Sequence, residues 1–442
     1  MNKPLPTIAI LGASGLIGEA AARQFARDGF PIVPIARRFS RAQRAAFGSS
    51  AIECAFVPPG ADALDRIFAK HKFDIVLNCV GVLQDGSRGS TEVVHHAFAS
   101  RLVALLGARD EPVLLMHLSI PGNSEDDRTS FSRTKRGAER VIAARPGPFC
   151  ILRPGFVLAP AAYGGSALLR ALALLPFGLP LREAGRPFAT TDVADIARTV
   201  AVVARRWRDG ERGWNAIWDV MARHPSTVGD VVDALRHHLG GPGTLMRLPS
   251  WLMALAAKAG DLIACLGWSP PIRTTALQEM RRGVAGDPTP WIEATGIEPA
   301  SLGAMVQRLP STVQERWFAR LYLCKTLILA SLAAFWACSG LIALTVAFGA
   351  ASAILLSHGF PPMLAKTGTV VSSLVDVAIG LAIACKPTCR IGLRAGIGVS
   401  LFYMISAAAM APDIWIEPLG ALVKTGPAIV LMLVALAMSE DR

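Results

Sequence analysis

Residues 7–18 read TIAILGASGLIG, a short apolar run followed at once by glycines in the pattern GxxGxxG. In such a turn Gly12 lets the chain leave the strand sharply, Gly15 lets the backbone approach a pyrophosphate, and Gly18 lets the next helix pack closely. The helix that begins here directs its free amides and its positive dipole end at phosphate. The pattern therefore favours dinucleotide binding over an ordinary glycine turn, with the following predicted contacts: Gly12, Ala13, Ser14, Gly15, Leu16, Ile17 and Gly18.

Short apolar runs alternate with helical segments from Thr7 to about Ala204, which is typical of parallel strands joined by crossover helices. The predicted fold class is therefore α/β, a doubly wound parallel sheet of the Rossmann type with a small helical lobe, followed by an all-α four-helix transmembrane domain. The predicted strands lie near Ile8–Leu11, Ile32–Ile35, Ile52–Val57, Ile75–Asn78, Val113–Leu118 and Cys150–Leu152.

A chain of 442 residues is too long for one ordinary core, so several domains are expected. Charged residues are scattered through the first three quarters, whereas long uncharged apolar runs occur from Thr326 onward. This change in composition indicates a membrane region joined to an aqueous part. We predict a dinucleotide-binding domain over 1–206, a helical substrate-side lobe and membrane lead-in over 207–320, and a transmembrane domain over 321–442.

Four apolar spans have about the 20 residues that cross a bilayer. The first is expected either to be long and tilted or to end in a re-entrant turn before His358. Cations lie between the second and third spans and acids between the third and fourth, so the positive-inside bias places both termini in the cytoplasm. We expect no secretory signal at the N-terminus, and we expect a multi-pass protein of the cell inner membrane. The spans lie near Thr326–Phe348, Thr369–Cys385, Ile391–Ala411 and Leu419–Met438.

The net charge of +12 is compatible with either nucleic acid or an anionic membrane surface. Basic residues, including Arg316, Arg320 and Lys325, precede the first apolar span, and no nucleic-acid motif occurs. Membrane lipid is therefore the expected partner, and nucleic acid is not. The eight cysteines show no CxxC pair, which predicts a reducing compartment and no metal site.

The second predicted strand is followed by Ala36, Arg37 and Arg38. A carboxylate at this point of a dinucleotide-binding fold favours NAD, whereas arginine can bind the extra phosphate of NADP. The alternative is a solvated basic turn, since Arg41 and Arg44 continue the run at helical spacing. We predict that NADP is bound, with NADPH preferred over NADH, and that Arg37 and Arg38 contact it.

Several later segments follow strand ends or begin helices in a recognisable order. They are NCVG at 78–81, HLS at 117–119, FSRTK at 131–135, RPG at 153–155 and DVA at 192–194. Together with the glycine turn, this order resembles the extended and atypical short-chain dehydrogenase/reductases over roughly the first 200 residues. The resemblance implies that Ser119 polarises a carbonyl and that Lys135 binds the nicotinamide ribose. Asn78, Val80 and Gly81 are the further predicted cofactor contacts, because ligands bind beyond the carboxyl ends of the strands.

Phe131 is the main departure from this family, in which a tyrosine four residues before the lysine serves as general acid or base. Loss of such a group removes about 10²- to 10⁴-fold in rate. Tyr163 is the tyrosine that the family's layout brings near enough to substitute. The alternatives are an ordinary strand-end serine at Ser119, a surface lysine at Lys135 and a helix N-cap at Asp192.

The last 120 residues resemble a DoxX-like four-helix membrane domain, which implies a quinone-facing role. The resemblance rests on Ser339, Gly340, Trp415, the PLG segment at 418–420, Lys424 and Pro427. Asp376 lies near the middle of the second predicted span, where an unpaired charge is costly. We expect either a pair between Asp376 and Lys424 or a Lys424 side chain that snorkels to the interface.

Three functions follow from these patterns. The first is a membrane-anchored NADP(H)-dependent oxidoreductase acting on a small-molecule or lipophilic substrate, such as a quinone or an isoprenoid carbonyl. The second is a non-catalytic NADPH-binding scaffold or redox sensor, which Phe131 favours. The third and weakest is a sugar-nucleotide epimerase or dehydratase, whose chemistry needs the missing tyrosine even more.

Overall fold

The structure is a computed structural model that describes residues 4–55, 61–86, 89–416, 420 and 422–439. The chain divides into two compact units. The first comprises Met1–Asp261 and Pro270–Arg320, and the second comprises Leu262–Ser269 and Leu321–Arg442. The predicted domain boundary at residue 206 stays a prediction.

The first unit is built on a parallel sheet, which confirms the α/β Rossmann-type fold class. Within the described residues the sheet has seven strands in the order β10-β6-β5-β4-β1-β2-β3, and two further pairs, β7 with β9 and β8 with β11, lie outside it. The strands are β1 (Ile8–Leu11), β2 (Ile32–Ala36), β3 (Ile52–Glu53), β4 (Ile75–Asn78), β5 (Leu114–Leu118), β6 (Phe149–Pro154), β7 (Phe156–Leu158), β8 (Phe177–Gly178), β9 (Thr190–Asp192), β10 (Asn215–Val220) and β11 (Met246–Arg247).

Five of the six predicted strands are found within one or two residues of their expected bounds. The third, predicted over Ile52–Val57, is a strand at Ile52–Glu53, and its last two predicted residues lie outside the described part of the chain. The sequence analysis missed β10, which pairs in parallel with β6 at the sheet edge. Since Asn215 and Ile217 are exposed, an edge strand of this kind lacks the continuous apolar run of its buried neighbours.

Helices cover both faces of the sheet. On one face α1 packs against α8 beside Ile10, and on the other α4 and α5 bury Leu115. A π-helical turn, Glu92–Ala97, leads directly into α4. The helices of this unit and its continuations are α1 (Leu16–Arg27), α2 (Arg41–Phe47), α3 (Ala61–Lys70), α4 (Phe98–Gly107), α5 (Ser130–Ala143), α6 (Gly165–Ala173), α7 (Leu181–Ala184), α8 (Val193–Asp209), α9 (Val228–Leu239), α10 (Ser250–Cys265), α11 (Thr274–Arg282), α12 (Thr289–Thr295), α13 (Leu302–Gln307) and α14 (Val313–Leu344).

The second unit is helical, and three helices of the described chain, α14, α16 and α17, are long and apolar enough to cross a membrane. The helix α14 ends at Leu344, so the uncharged run that continues to Leu356 is not one helix. The fourth apolar segment forms a helix of 14 residues, shorter than the others, and the number and orientation of spans stay predictions. The helices after α14 are α15 (Phe348–Ser357), α16 (Pro362–Ala384), α17 (Cys389–Met410) and α18 (Thr425–Met438).

The expected pair between Asp376 and Lys424 is wrong. Tyr403 on α17 donates a hydrogen bond of 3.0 Å to Oδ1 of Asp376, and among the described residues Asp376 forms no ion pair with Lys424. Lys424 is the residue before α18, because that helix begins at Thr425. The carboxyl group is therefore stabilised by a phenol from the neighbouring helix.

Candidate functional site

The turn between β1 and α1 has the backbone geometry that its glycines predict. Gly12 has φ of +81°, which a residue with a side chain rarely adopts, and a Cβ there would lie 3.1 Å from the backbone of Cys79. A Cβ at Gly18 would overlap the carbonyl oxygen of Gly12. Gly12 thus lets the end of β4 approach, and Gly18 lets α1 pack against the turn.

The third glycine lies on the open side of the same turn. Gly15 is exposed, and a Cβ there would meet only the carbonyl oxygen of Gly12 among the described atoms within 4 Å. The N-cap residue of α1 is Gly15, which has no side chain with which to cap the helix. Ala13 is buried and donates to the carbonyl of Ile35, so the turn is fixed on the sheet side. The amides of the first helical turn are therefore available to an anion.

Gln43 on α2 holds the turn from the side, a residue that the sequence analysis missed. Its Nε2 donates to the carboxylate of Glu19 at 2.5 Å and to the carbonyl of Ser14 at 3.3 Å. Gln43 also completes the capping box of α2 with Ser40. The S-x-x-Q pattern of Ser40 and Gln43 predicts the start of a helix, but it does not predict the contact of Gln43 with the glycine turn.

Arg37 and Arg38 lie directly after β2, and both are exposed. Farther along, Arg44 forms an ion pair of 3.2 Å with Glu53 on β3. The same carboxylate accepts a hydrogen bond of 2.7 Å from the amide of Phe39. The basic run therefore has an exposed pair beside the strand end, and farther along Arg44, which is also exposed, is ion-paired with β3.

The end of β4 is fixed by Asn78, which is buried against β5. Its Oδ1 accepts from the amide of Val80 at 3.0 Å, so its Nδ2 donates to Nδ1 of His117, also at 3.0 Å. This assignment places the His117 proton on Nε2, which is buried without a hydrogen-bond partner among the described residues. Burial, with Lys135 and His95 nearby, holds the pKa of His117 well below its usual value.

Lys135 and Gly81, two of the predicted cofactor contacts, lie close together at this strand end. Nζ of Lys135 donates to the carbonyl of Leu118 at 2.8 Å, and a Cβ at Gly81 would lie 3.3 Å from Nζ. Lys135 is buried, which lowers its pKa to about 8. The surface-lysine alternative is therefore wrong, because this ammonium group lies inside the fold.

Phe131 packs against His95, a second residue that the sequence analysis missed. Their rings meet edge to face with centroids 5.6 Å apart. Nε2 of His95 accepts from the amide of Val82, so its Nδ1 donates to the hydroxyl of Thr134 at 2.9 Å. Burial and then the charge of Lys135 lower the pKa of His95 to about 2. His95 is therefore a neutral structural group and cannot supply the proton that a tyrosine would.

Ser119 lies beside a buried charge network. Its hydroxyl is buried without a hydrogen-bond partner among the described residues, yet it is close enough to Glu139 to help lower the pKa of that carboxyl. Glu139 is held by Arg153 of the RPG segment through bonds of 2.8 and 2.6 Å, and by Arg136. Ser119 therefore points toward ion-paired side chains at the sheet edge.

Two further residues singled out in the sequence lie elsewhere. Tyr163 is half-buried between β7 and α6, where its amide donates to the hydroxyl of Ser166 at 2.9 Å, and its catalytic role stays a prediction. Asp192 is the N-cap of α8, which confirms the N-cap interpretation, and it also pairs with Arg308 at 2.9 Å. Within the described residues no group of three His, Cys, Asp or Glu side chains could hold a metal ion.

Two protein-family models match the chain. The NAD dependent epimerase/dehydratase family matches residues 8–155, and the DoxX-like family matches residues 333–433. The chain therefore joins an epimerase-type Rossmann domain to a DoxX-like domain. A comparison with curated proteins gives no significant match.

Solved structures share the fold of the epimerase-type domain. A UDP-glucuronic acid 4-epimerase from Bacillus cereus, in complex with UDP-glucuronic acid and NAD, is 12% identical, with 72% of this chain and 99% of that chain covered and a TM-score of 0.51. A human epimerase family protein with NADPH is 16% identical, with 69% and 98% covered and a TM-score of 0.50. A UDP-glucose 4-epimerase from Thermotoga maritima with UDP-glucose is 15% identical, with 73% and 99% covered and a TM-score of 0.51.

Proposed function

We propose that this chain is a membrane-anchored oxidoreductase that binds NADP(H). The observation that carries the proposal is the turn at Gly12–Gly18, which leaves uncapped helix amides open on one side, together with the buried Lys135 beside Gly81. The turn supports binding of the pyrophosphate. Lys135 supports binding of the nicotinamide ribose. When bound, the nicotinamide would supply a hydride, and the glycine turn and Lys135 would hold and orient the dinucleotide.

The proposed cofactor is NADP, with NADPH preferred. Related solved structures carry NAD in the Bacillus cereus epimerase and NADPH in the human protein, so the fold accepts either. The choice is argued from this chain's own residues. The strand β2 ends in Ala36 without a carboxylate, and the exposed Arg37 and Arg38 follow it. A guanidinium group donates paired N–H hydrogen bonds to phosphate oxygens, and an adenosine ribose without that phosphate lacks these acceptors.

The proposed acceptor is a lipophilic molecule such as a quinone or an isoprenoid carbonyl. This proposal is supported by the DoxX-like domain and its long apolar helices α14, α16 and α17. The charges between these helices favour cytoplasmic termini, with Lys386, Arg390 and Arg394 on one side. Four spans in the cell inner membrane, with the cofactor domain in the cytoplasm, complete the proposal.

The second candidate function is a non-catalytic scaffold or redox sensor that holds NADPH. It is favoured by Phe131, whose ring is packed on His95 and has no proton to donate. Because both nitrogens of His95 are already hydrogen-bonded, this neighbour does not restore the lost acid. In this alternative the cofactor stabilises the fold, and no substrate is reduced.

Purified full-length protein in detergent separates these functions. NADPH binding is measured by thermal stabilisation. Oxidation of NADPH is measured by its absorbance in the presence of each member of a panel of quinones and aldehydes. Binding with turnover supports the oxidoreductase. Binding without turnover across the panel supports the scaffold, and turnover by the unaltered protein eliminates it. The absence of any binding overturns both functions.

A further inference from the structure

An exposed apolar patch lies on the first unit, on elements other than the glycine turn and the helix α5 that carries Lys135. We define the patch by five side chains that are each more than half exposed, although apolar groups of this size are usually buried. Contiguous patches of this kind mark surfaces that bind another molecule or a membrane. The members are Leu181 at 72%, Leu245 at 82%, Met246 at 56%, Trp251 at 66% and Leu255 at 56% exposed.

Hydrogen bonds hold the segments of the patch together. The strand β11 pairs in parallel with β8, and the amide of Leu245 donates to the carbonyl of Pro176 at 2.9 Å. The start of α10 is tied to α7, because the hydroxyl of Ser250 donates to the buried carboxylate of Glu183 at 3.0 Å. The patch is therefore a fixed surface rather than a set of scattered side chains.

The helix α10 is apolar on two opposite faces. Met253 and Ala257 are buried in the core of the helical lobe, whereas Trp251 and Leu255 are exposed. Residues two apart on a helix lie about 200° apart around its axis, so the two pairs face in nearly opposite directions. A helix in water normally has a polar outer face, whereas on this one Trp251 and Leu255 are exposed beside a single cation, Lys258. The outer face of α10 is therefore suited to an apolar environment.

Basic side chains accompany the patch. Arg182 follows Leu181, Arg247 follows Met246, and Lys258 lies one helical turn after Leu255; all three are exposed. Cations beside exposed leucine and tryptophan are the composition of a surface that lies on an anionic lipid bilayer. Tryptophan is enriched at that depth because its ring is apolar and its N–H is polar.

The same chain also contains the helices that would bring the patch to a membrane. The helix α10 contains the point, after Asp261, at which the chain leaves the first unit for the helical unit. That unit contains helices long and apolar enough to cross a bilayer. We infer that the patch of Leu181, Leu245, Met246, Trp251 and Leu255 lies on the surface of an anionic lipid bilayer, as a membrane contact separate from the spanning helices.

Site-specific photo-crosslinking tests the inference in the full chain. The protein is reconstituted in vesicles of phosphatidylethanolamine and phosphatidylglycerol, with a benzophenone amino acid in place of Leu245 or Trp251. Ile217 on β10 provides the matched control, because it is an apolar side chain that is also exposed, at 43%. We expect at least about fivefold more lipid adduct from positions 245 and 251 than from position 217. Unaltered thermal unfolding in detergent verifies that each variant is folded.

Equal lipid adduct at the three positions would overturn the inference, and so would adducts to a second copy of the chain in place of lipid. The charge component is tested separately with Arg247→Glu combined with Lys258→Glu. We expect this variant to lose lipid adduct in vesicles that contain phosphatidylglycerol and to change little in pure phosphatidylcholine. An adduct yield that is independent of lipid charge in the unaltered protein contradicts the role of the basic residues. None of these measurements involves the cofactor, so their outcome is independent of the proposed function.

Discussion

The glycine turn and the start of α5, the two ends of the candidate site, differ in how closely they match a short-chain dehydrogenase/reductase. At the glycine turn, Gly12 and Gly18 have the close approaches that a dinucleotide-binding turn needs. At the start of α5, Lys135 is buried with its ammonium group on the carbonyl of Leu118, but Phe131 packs on His95 at the position where the resemblance to short-chain dehydrogenase/reductases implies a tyrosine. In the proposed function, cofactor binding and proton transfer therefore depend on different residues.

Phe131→Tyr should have the largest effect, because it restores a hydroxyl four residues before Lys135. We expect the rate of NADPH oxidation with a carbonyl acceptor to rise by about 10²- to 10⁴-fold. Stopped-flow absorbance measures the rate, and Phe131→Leu is the control, since it changes the ring contact on His95 without adding a proton. An unchanged rate in a variant that still binds NADPH would show that the two ends of the site differ in more than this hydroxyl.

Gly18→Val should abolish cofactor binding and destabilise the fold. The new side chain would overlap the carbonyl oxygen of Gly12, and overpacking of this kind costs at least about 2 kcal/mol. Thermal unfolding with and without NADPH measures both effects. Gly107→Ala is the control, because no described atom outside its own helix lies within 4 Å of a Cβ there; it should leave NADPH binding unchanged and raise stability slightly. Normal NADPH binding by Gly18→Val would contradict the role assigned to the turn.

Lys135→Met should weaken NADPH binding about tenfold, the loss expected for one charge-assisted hydrogen bond. The ligand-free protein should nevertheless be at least as stable, because burial lowers the pKa of Lys135 from 10.5 to about 8. Between pH 8 and 10.5 the unfolded chain binds more protons at this residue, so wild-type stability should rise with pH relative to the variant. Below about pH 8 both states are protonated and this difference should be flat. Denaturant titrations at several pH values measure it, and a fall across that window would be inconsistent with a buried ammonium group.

Gln43→Ala should have the smallest effect of the four. It removes the hydrogen bond to Glu19 and the one to the carbonyl of Ser14, which costs about 1–3 kcal/mol of stability for a bond to a charged group. We expect NADPH affinity to fall only a few-fold, since no amide of the turn is altered. Urea unfolding and isothermal titration give the two values. A loss of binding as large as that of Gly18→Val would mean that α2, rather than the glycines, determines the shape of the turn.

Local patterns in the sequence predicted much of the first unit. The strand β1 and its glycine turn were predictable because the positive φ of Gly12 and the contact of Gly18 with Gly12 involve only residues close in sequence. The strand β10 was missed because its pairing with β6 joins residues about 66 positions apart and its outer side chains are exposed. His95 and Gln43 were missed for the same reason. Their contacts with Phe131 and Ser14 arise from the packing of separate elements, which leaves no periodic signal.

Hydropathy predicted the apolar helices of the second unit but not the contacts between them. The start of α18 at Thr425 leaves Lys424 outside the helix, whereas a hydropathy pattern has no sharp boundary there. The hydrogen bond between Tyr403 and Asp376 depends on how α16 faces α17. Composition alone does not determine the rotation of one apolar helix against another.

In the proposed function, the turn after β1 binds a nicotinamide dinucleotide and Arg37 favours NADP over NAD. Thermal unfolding of the wild type and of Arg37→Asp, each with NADPH and with NADH, tests both parts. A cofactor at 100 times its dissociation constant should add about 2.7 kcal/mol of stability. We predict that NADPH stabilises the wild type more than NADH does, and that Arg37→Asp reverses the order. If neither cofactor changes the unfolding temperature of either protein, binding of a nicotinamide dinucleotide at the turn is contradicted.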